Sequence, residues 1–449
     1  MQDMLIKPAM VPPLDQDFRP PVLAHRQFRA AVRQAGGVPL ALSVQGADGV
    51  ISGHHLQVLP AGHPQARANL PLVERIVKFL LWQRGGARLV VSGPAELGQA
   101  LGQIYSETGA RAFDARLMSD VYGRPFAVET TAYADAPAAC LAAQPLGRHL
   151  DGCRIGFDLG ASDRKVAAVV DGQPVYSEEV IWDPKNQTDP QYHYDEIMAT
   201  LQTAAKHMPR VDAIGGSAAG IYVNNSVRIA SLFRGVPHDL FEKRVRGIFA
   251  ELQKAWQGIP FDVINDGEVT ALAGSMSLGV NRILGIAMGS SLAAGYVDGE
   301  GNVVGWLDEL AFAPVDYNPG APADEWSGDC GCGALYFSQV AVNRLAERAG
   351  IALDPARTLP ERLKDVQQLM QQDDPRARKV YETIGIWFGY TLAHYAEFYD
   401  VEHILMLGRV TSGRGGDIVR EQAHQVLQTE FPELSDRIKL AVPDEASRR

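Results

Sequence analysis

Four short turns in this 449-residue chain carry acidic or hydroxyl side chains beside glycines. In chain order they are residues 158–162, 265–266, 289–291 and 408–416. Glycine lets backbone N–H groups approach a phosphate closely, and a serine hydroxyl can donate to the same anion. A carboxylate can hold a divalent cation or accept a proton. Together, these residue types could bind a nucleotide and transfer its phosphoryl group.

The first turn lies in the segment CRIGFDLGASDRKVAAVVDG, residues 153–172. Its pattern predicts a strand at 154–158, a tight turn, a second strand at 165–170 and an Asp-Gly hairpin turn. Asp158 is placed to reach a divalent cation, Gly160 to admit a phosphate and Ser162 to donate a hydrogen bond. The alternative is an ordinary hairpin whose glycine serves only the turn.

The other three turns also follow predicted strands. Asn265 and Asp266 come after a short apolar run at 260–264 and precede a predicted helix at 268–276. A carboxylate there can accept the proton of a hydroxyl nucleophile, although Asn or Asp before a helix is also a common N-cap. Gly289 and Ser290 lie between predicted strands at 282–288 and 293–297. Gly408 follows a predicted strand at 403–407.

The chain length predicts more than one domain. We expect a proline-rich extended arm and short helix at 1–37, an additional α/β domain plus an Ala/Pro-rich linker at 38–150, and two further units at 151–266 and 267–449. Within the additional domain, strands are expected near 111–117 and 125–131. A single long helix is expected at 238–256. The sequence leaves the role of the additional domain open: it could cap a cleft, form a homodimer or bind a partner.

Composition limits the classes of function. A net charge of −11 argues against nucleic acid or an anionic membrane as a general partner. Four cysteines are too few and too unevenly placed for a disulfide scaffold, and the amino terminus lacks the pattern of a secretory signal. We therefore expect a cytoplasmic protein that binds small molecules.

The order of the four turns resembles the actin-like ATPase superfamily, and within it most closely the ROK family of sugar kinases and repressors. The resemblance covers residues from Cys153 to the helix that follows Asp417. It implies a two-lobed, ribonuclease H-like α/β core preceded by a smaller α/β domain. It also implies ATP, Mg²⁺ and a sugar as ligands, with Asp266 as general base. The implied nucleotide-binding residues are Asp158, Gly160, Ser162, Gly289, Ser290 and Gly408, and the implied sugar-binding residues are Asn265, Asp266 and Glu309.

The sequence departs from the ROK pattern at several positions. Family glycines are replaced by Ala161, Ser291, Ala293 and Arg409. Phe312 stands where the family has a zinc-binding histidine. The family's cysteine motif aligns with Glu325, Ser327 and Cys332, and Ala334 stands at its final glutamate. Zinc is therefore not expected, and Cys330 and Cys332 are interpreted as structural thiols in a turn rather than as metal ligands.

Two hypotheses follow from the resemblance. The first is an ATP-dependent kinase of a sugar or a related hydroxyl compound. The second is a non-catalytic sensor of sugar or nucleotide, in which turnover has been lost. A dinucleotide-dependent enzyme is disfavoured because residues 413–418 lack the third glycine of the dinucleotide fingerprint. Arg234 could meet an acidic substrate, but a solvated surface role is preferred. The sugar and the reacting hydroxyl are not determined.

Overall fold

The computed structural model describes residues 2–140 and 146–442. They form an N-terminal α/β domain and two lobes of a larger α/β core. The predicted linker falls partly on residues 141–145, which lie outside the described residues. Up to Cys140 this segment is tied to the N-terminal domain, because the backbone of Cys140 pairs with that of Ile51.

The N-terminal domain contains α1 (Pro21–Ala35), β1 (Val38–Gln45), β2 (Ile51–Val58), α2 (Asn69–Arg84), β3 (Arg88–Ser92), α3 (Ala95–Ile104), α4 (Ala112–Tyr122) and β4 (Ala127–Thr131). Its four-stranded sheet has the order β2-β1-β3-β4. The predicted strand at 111–117 is wrong, because this stretch begins α4. Its buried residues Ala115, Met118 and Val121 recur every three residues, which is helical spacing that a seven-residue window cannot reveal.

The first lobe contains β5 (Cys153–Leu159), β6 (Asp163–Val170), β7 (Gln173–Ile181), α5 (Pro190–Ala205), β8 (Ala213–Ala218), β9 (Ile221–Val223), β10 (Ser226–Ile229), α6 (His238–Leu240), α7 (Ile248–Ala255) and β11 (Phe261–Asn265). Its five-stranded sheet has the order β11-β8-β5-β6-β7. The predicted helix at 238–256 is interrupted by a π-helical segment, Phe241–Val245, in which Arg246 N donates to Phe241 O.

The second lobe contains α8 (Asp266–Leu278), β12 (Ile283–Met288), β13 (Leu292–Val297), α9 (Gln339–Arg348), α10 (Leu359–Gln371), α11 (Pro375–Tyr395), β14 (His403–Leu407), α12 (Arg414–Glu430), α13 (Pro432–Arg437) and β15 (Lys439–Ala441). Its four-stranded sheet has the order β13-β12-β14-β15. None of the helices in the described residues is long and apolar enough to cross a membrane.

The hydrophobic cores show how these parts are joined. The buried side chains of α1, α2 and β1 belong to the same continuous core as those of α9, α11 and α12. The first lobe has a separate core built on β5, β8 and α7. The N-terminal domain and the second lobe therefore form one packed body, and the first lobe stands against it across a cleft.

The N-terminal arm lies on the second lobe. Phe18 is fully buried among the rings of Tyr336, Trp387 and Tyr390, with centroids 6.1–6.3 Å away. The backbone N of Met10 donates to the Tyr390 hydroxyl at 3.1 Å. The Tyr390 hydroxyl in turn donates to Glu430. One phenol oxygen thus ties the arm to two helices, α11 and α12.

We expect Tyr390→Phe to lower the free energy of unfolding by about 1 kcal/mol, because it removes this oxygen and leaves the Met10 N–H without its acceptor. Urea unfolding should show a lower midpoint at an unchanged slope. Tyr133→Phe is the control, because the Tyr133 ring is 40% exposed and its hydroxyl makes only a 3.3 Å contact with His55. Equal midpoint shifts in the two variants would contradict the role of the Tyr390 hydroxyl.

Candidate active site

The predicted site residues lie at the carboxyl ends of parallel strands. In the first lobe β5, β8 and β11 are parallel, and their register places Asp158 beside Ser217 and Asn265 beside Ala218. In the second lobe β12 and β14 are parallel and end just before Gly289 and Gly408. Ligand sites in α/β sheets form at such edges. The fold therefore places the four turns at the ends of strands.

Asp158 is held from two sides. Its Oδ1 accepts a hydrogen bond from the Ser217 hydroxyl on β8. Its Oδ2 lies 3.7 Å from Lys165 Nζ, and the same ammonium group is 2.7 Å from Asp163 Oδ1. The hydrogen bond with Asp163 raises the pKa of Lys165, so this lysine remains charged. A fixed positive charge therefore lies beside the carboxylate that the sequence assigns to a cation.

The first turn is closed on itself in this conformation. Gly160 N donates to Asp163 O at 2.9 Å, and Ser162 Oγ donates to Asp163 Oδ2 at 3.0 Å. The hydroxyl of Ser162 is exposed toward solvent. Both groups predicted to bind phosphate are thus engaged with Asp163, and the Ser162 hydroxyl must rotate before it can donate to a ligand.

The third turn, at Gly289, and the fourth turn, at Gly408, are packed against each other. Gly408 has a φ of 92°, and a Cβ there would lie 2.3 Å from Met288 O, so only glycine fits at this contact. Gly289 follows Met288 directly, and its carbonyl accepts from Gln339 N at the start of α9. Ser290 is exposed at the tip of this turn. Arg409 is also exposed, and it begins a short helical turn rather than filling the space beside Gly408.

Asn265 and Asp266 lie at the start of α8. A helix is expected here whether the pair supplies a general base or an N-cap. Asn265 is the N-cap: its Oδ1 accepts from Gly267 N at 2.7 Å, and its Nδ2 donates to Gly220 O at 2.7 Å. Glu268 completes a capping box by accepting from Asn265 N at 3.2 Å. Asp266 is the first helical residue, and its Oδ1 accepts from Gly267 N at 3.1 Å.

The position of α8 is set by a glycine contact between helix and strand. A Cβ on Gly267 would lie 2.2 Å from Ala294 O, and a Cβ on Gly295 would lie 2.3 Å from Gly267 O. Gly295 in β13 therefore serves this close crossing of α8 over β13. The crossing packs the Asp266 end of α8 against β13, the strand that follows the turn at Gly289.

Asp266 has a pKa above that of an ordinary aspartate. The main cause is burial within the cleft, and the negative charge of Asp158 adds to it, while the Gly267 N–H opposes it. The side chain is nevertheless open to solvent, so its surroundings are a protein-lined cleft rather than a packed core. A carboxylate whose pKa is raised toward neutrality is a better proton acceptor.

Three further carboxyl groups, those of Glu268, Asp308 and Glu309, form a cluster near Asp266. Burial, followed by the charge of Asp266 and then that of Asp308, raises the pKa of Glu309 to about 7. Burial also raises the pKa of Asp308 to about 7, and Asp308 Oδ1 accepts from the Tyr399 hydroxyl at 2.6 Å. Burial and Asp308 raise the pKa of Glu268 to about 8. Glu309 thus interacts electrostatically with Asp266, within a cluster that holds protons near neutral pH.

These raised pKa values predict how stability depends on pH. Between about pH 5 and pH 7 the folded cluster binds more protons than the unfolded chain does, so its contribution to stability decreases as pH rises. We expect Glu268→Gln to reduce the decline of the melting temperature between these pH values, while the glutamine still accepts from Asn265 N. The exposed Glu96→Gln in α3 is the control. An unchanged pH profile in Glu268→Gln would contradict the raised pKa.

The N-terminal domain forms part of the cleft. The backbone N–H groups of Asp308 and Glu309 donate to Gln83 O at 2.8 Å and Trp82 O at 2.9 Å, at the end of α2. A cavity of about 390 Å³ lies where this domain meets both lobes. Its lining includes Arg84 and Tyr122 from the N-terminal domain, Tyr222 and Asn265 from the first lobe, and Glu268 and Trp306 from the second.

The segment that aligns with the family's zinc motif is occupied by other contacts. Phe312 stacks on Trp82 of α2 with ring centroids 4.3 Å apart. Cys332 is buried, its Sγ lies 3.6 Å from Asp329 O, and burial raises its pKa to about 12. Cys330 is partly buried and unbonded to another cysteine. Burial therefore favours the protonated form of Cys332 at neutral pH.

Asp329 belongs to a buried ion cluster that joins the N-terminal domain to this turn. Arg75 contacts both of its carboxylate oxygens, at 3.0 and 3.1 Å. Lys78 Nζ lies 2.9 Å and Arg111 Nη1 2.7 Å from Asp329 as well. The cluster comprises three cations and three carboxylates, namely Arg75, Lys78, Arg111, Glu74, Asp114 and Asp329.

Several residues around the site were not predicted from sequence. Lys165 and Asp163 lie near Asp158 because of the register of the β5–β6 hairpin. The sequence pattern does not specify that register. Glu268 could have been found, because an Asn followed three residues later by Glu before a helix is a capping-box signal.

Arg234, which the sequence analysis considered, is exposed, and its backbone N donates to Ser231 O in a short helical turn.

Comparisons with known proteins identify the fold. No protein-family model and no curated protein matches the chain. Among solved structures, the ROK hexokinase from Thermus thermophilus is 19% identical, covers 66% of this chain and 95% of its own, and has a TM-score of 0.51. A ROK family transcriptional regulator, a homologue of the E. coli MLC protein, is 17% identical, covers 79% and 85%, and has a TM-score of 0.52. The chain therefore shares its fold with these ROK proteins, as the sequence predicts.

Proposed function

We propose that this protein is a divergent member of the ROK family that transfers the γ-phosphoryl group of ATP to a hydroxyl of a sugar or sugar-like compound. The observation that carries the proposal is Asp266: it begins α8 beside the strand ends, and burial and Asp158 raise its pKa. A fold shared with a hexokinase makes a kinase reasonable. It does not decide the matter, because a transcriptional regulator has the same fold.

In this proposal Asp266 accepts the proton of the sugar hydroxyl as the oxygen attacks the γ-phosphorus. The bond between the γ-phosphorus and the bridging oxygen breaks, and ADP leaves with the bond electrons. Asn265 fixes the start of α8 through Gly220 and Gly267, so the base keeps its orientation. Glu309 lies close enough to interact with Asp266, and its raised pKa lets it donate or accept a hydrogen bond with a substrate hydroxyl.

The nucleotide would lie along the three glycine-bearing turns. Ser162 and Ser290 are exposed and can donate to phosphate oxygens once Ser162 rotates away from Asp163. Gly408 gives the fourth turn close packing against Met288, at the end of β12. A carboxylate together with substrate phosphates is a donor set that suits Mg²⁺, and Asp158 fits that role with Ser217 holding it in place. Mg²⁺ bound there would neutralise charge on the transferred group.

A second candidate function is a sugar or nucleotide sensor without turnover. One observation favours it: Lys165 lies beside Asp158, and Asp163 engages both Gly160 and Ser162. A lysine at this distance competes electrostatically with Mg²⁺ for the carboxylate. A ligand-binding protein could keep this closed turn, whereas a kinase must open it in every cycle.

ADP release separates the two functions. The full chain is incubated with Mg-ATP and a panel of monosaccharides and amino sugars, and ADP is followed by a coupled assay. The kinase proposal predicts sugar-dependent ADP release that requires Mg²⁺. If no sugar releases ADP, while a sugar or ATP still raises the melting temperature, the protein is a sensor and the kinase proposal is wrong.

A further inference from the structure

Two histidines and a glutamate meet at the junction of the N-terminal domain and the second lobe. His25 lies in α1, His394 in the last turn of α11, and Glu397 just after that helix. Both histidines are at most 3% exposed. His25 Nδ1 is 2.6 Å and His394 Nδ1 is 3.4 Å from the same atom, Glu397 Oε2. One nitrogen or oxygen from each residue lies within 4.8 Å of the other two.

Neighbouring groups hold these three side chains in place. His25 Nε2 is 2.9 Å from the Tyr317 hydroxyl, so the opposite nitrogen of the ring faces Glu397. Arg29 Nη1 is 2.6 Å from Glu397 Oε1, which leaves Oε2 for the histidines. A second hydrogen bond on a ligand ring or carboxylate is the usual way in which metal ligands are oriented. The ligand atoms of the three side chains therefore face one another. The contacts with Tyr317 and Arg29 hold two of these side chains in that orientation.

A buried ion pair between His25 and Glu397 explains only part of this geometry. It accounts for the 2.6 Å contact, but it gives no reason for His394 to direct its Nδ1 at the same oxygen. The Nε2 of His394 is fully buried and has no hydrogen-bond partner among the described residues. Nδ1 is thus the ring nitrogen of His394 that faces another polar group, and a shared cation would account for its direction toward Glu397 Oε2.

The cluster is reachable from solvent. A cavity of about 610 Å³ opens beside it, and its lining includes His25, Arg29, His54, Glu397 and Phe398. An ion can therefore enter without unfolding of the domain. Because three ligands converge among the described residues, a position on the cavity side remains for water or a small molecule. Three protein ligands and one open position are typical of exchangeable or catalytic metal sites.

We propose that His25, His394 and Glu397 bind one divalent transition metal ion of the zinc class. Two imidazoles and one carboxylate suit such an ion, whereas Mg²⁺ and Ca²⁺ prefer oxygen ligands alone. Ligand atoms about 3.4 Å apart surround a tetrahedral zinc ion at ~2.1 Å. His394 and Glu397 already have this separation, and the His25–Glu397 contact must widen as the ion replaces the shared proton. The site is separate from Cys330 and Cys332 and from the phosphoryl-transfer cleft.

Metal binding to the full chain tests the proposal. The protein is stripped with a chelator, titrated with Zn²⁺ by calorimetry, and its metal content is measured after dialysis. We expect one equivalent to remain bound. In Glu397→Gln and His25→Gln the affinity should fall at least 100-fold, and in Tyr317→Phe about 10-fold, since the tyrosine only orients His25. Circular dichroism confirms folding in each variant.

The double variant Cys330→Ser/Cys332→Ser is the matched control and should retain full binding. X-ray absorption at the zinc edge of the wild-type protein adds a readout that needs no substitution, and it should show nitrogen and oxygen neighbours without sulfur. The proposal is overturned by the absence of bound zinc in the folded wild-type chain, by sulfur scattering, by loss of binding in the cysteine variant, or by unchanged affinity in Glu397→Gln.

Discussion

Asp266→Asn should lower kcat for sugar phosphorylation by roughly 10²–10⁴-fold, because the amide cannot accept the proton of the attacking hydroxyl. Binding should change far less. The amide oxygen of the substituted side chain can still accept from Gly267 N, and the Asn265 cap does not involve the carboxylate that is removed. ATP and the sugar should therefore still raise the melting temperature of the variant. In the wild type, activity should decline on acidification at a pH above that of an ordinary aspartate, because the pKa of Asp266 is raised.

The control for this variant is Asp239→Asn in α6, whose side chain is 68% exposed and makes only a 4.0 Å contact with Lys243. It should leave kcat within about twofold, as exposed charge changes usually do. Turnover by Asp266→Asn within a few-fold of wild type would rule out Asp266 as the base. A variant that binds neither ATP nor sugar would show that Asp266 acts in binding instead.

Asp329→Asn should produce the largest loss of stability, about 3–5 kcal/mol. The three cations and three carboxylates of the buried ion cluster balance each other, and removal of one carboxylate leaves a net positive charge. Lys78 is fully buried and Arg75 is 7% exposed, so neither can turn outward to solvent. Because the cluster joins the N-terminal domain to the second lobe, both should unfold at a lower urea concentration in a single transition.

Glu129→Gln provides the comparison for an exposed ion pair. Its partner Arg88 is 2.5 Å away, but the side chains of Arg88 and Glu129 are 41% and 45% exposed, so the expected loss is below about 1 kcal/mol. Similar urea midpoints for Asp329→Asn and Glu129→Gln would mean that the buried cluster adds little. Loss of the N-terminal domain alone, with the second lobe intact, would contradict the shared core.

The sequence predicted the parts of the site that depend on local order along the chain. The turn at Asp158, the helix beginning at Asp266 and the turn at Gly408 each follow a strand with a clear apolar run, and the structure confirms the strand or helix in each case. Glycine is required at position 408, because any Cβ there would collide with the backbone of Met288. Whether these residues bind ATP and a sugar remains a prediction.

Features that depend on distant parts of the chain could not be predicted. Arg75 and Asp329 are 254 residues apart, and His25 and Glu397 are 372 apart, so no periodicity or spacing connects them. The pattern at 111–117 predicts a strand where the structure has α4, because seven residues do not distinguish the two periods. The contact between Trp82 and Phe312, the residue that aligns with the family's zinc-binding histidine, depends on where the additional domain packs.

The most direct test of phosphoryl transfer is ³¹P NMR of a reaction that contains the wild-type chain, Mg-ATP and each sugar of the panel. Loss of the γ-phosphate signal should be matched by a new phosphomonoester signal that depends on the sugar and is absent with Asp266→Asn. If ATP remains intact while a sugar is bound, or if inorganic phosphate is the only product, the protein does not transfer phosphoryl groups to a sugar hydroxyl.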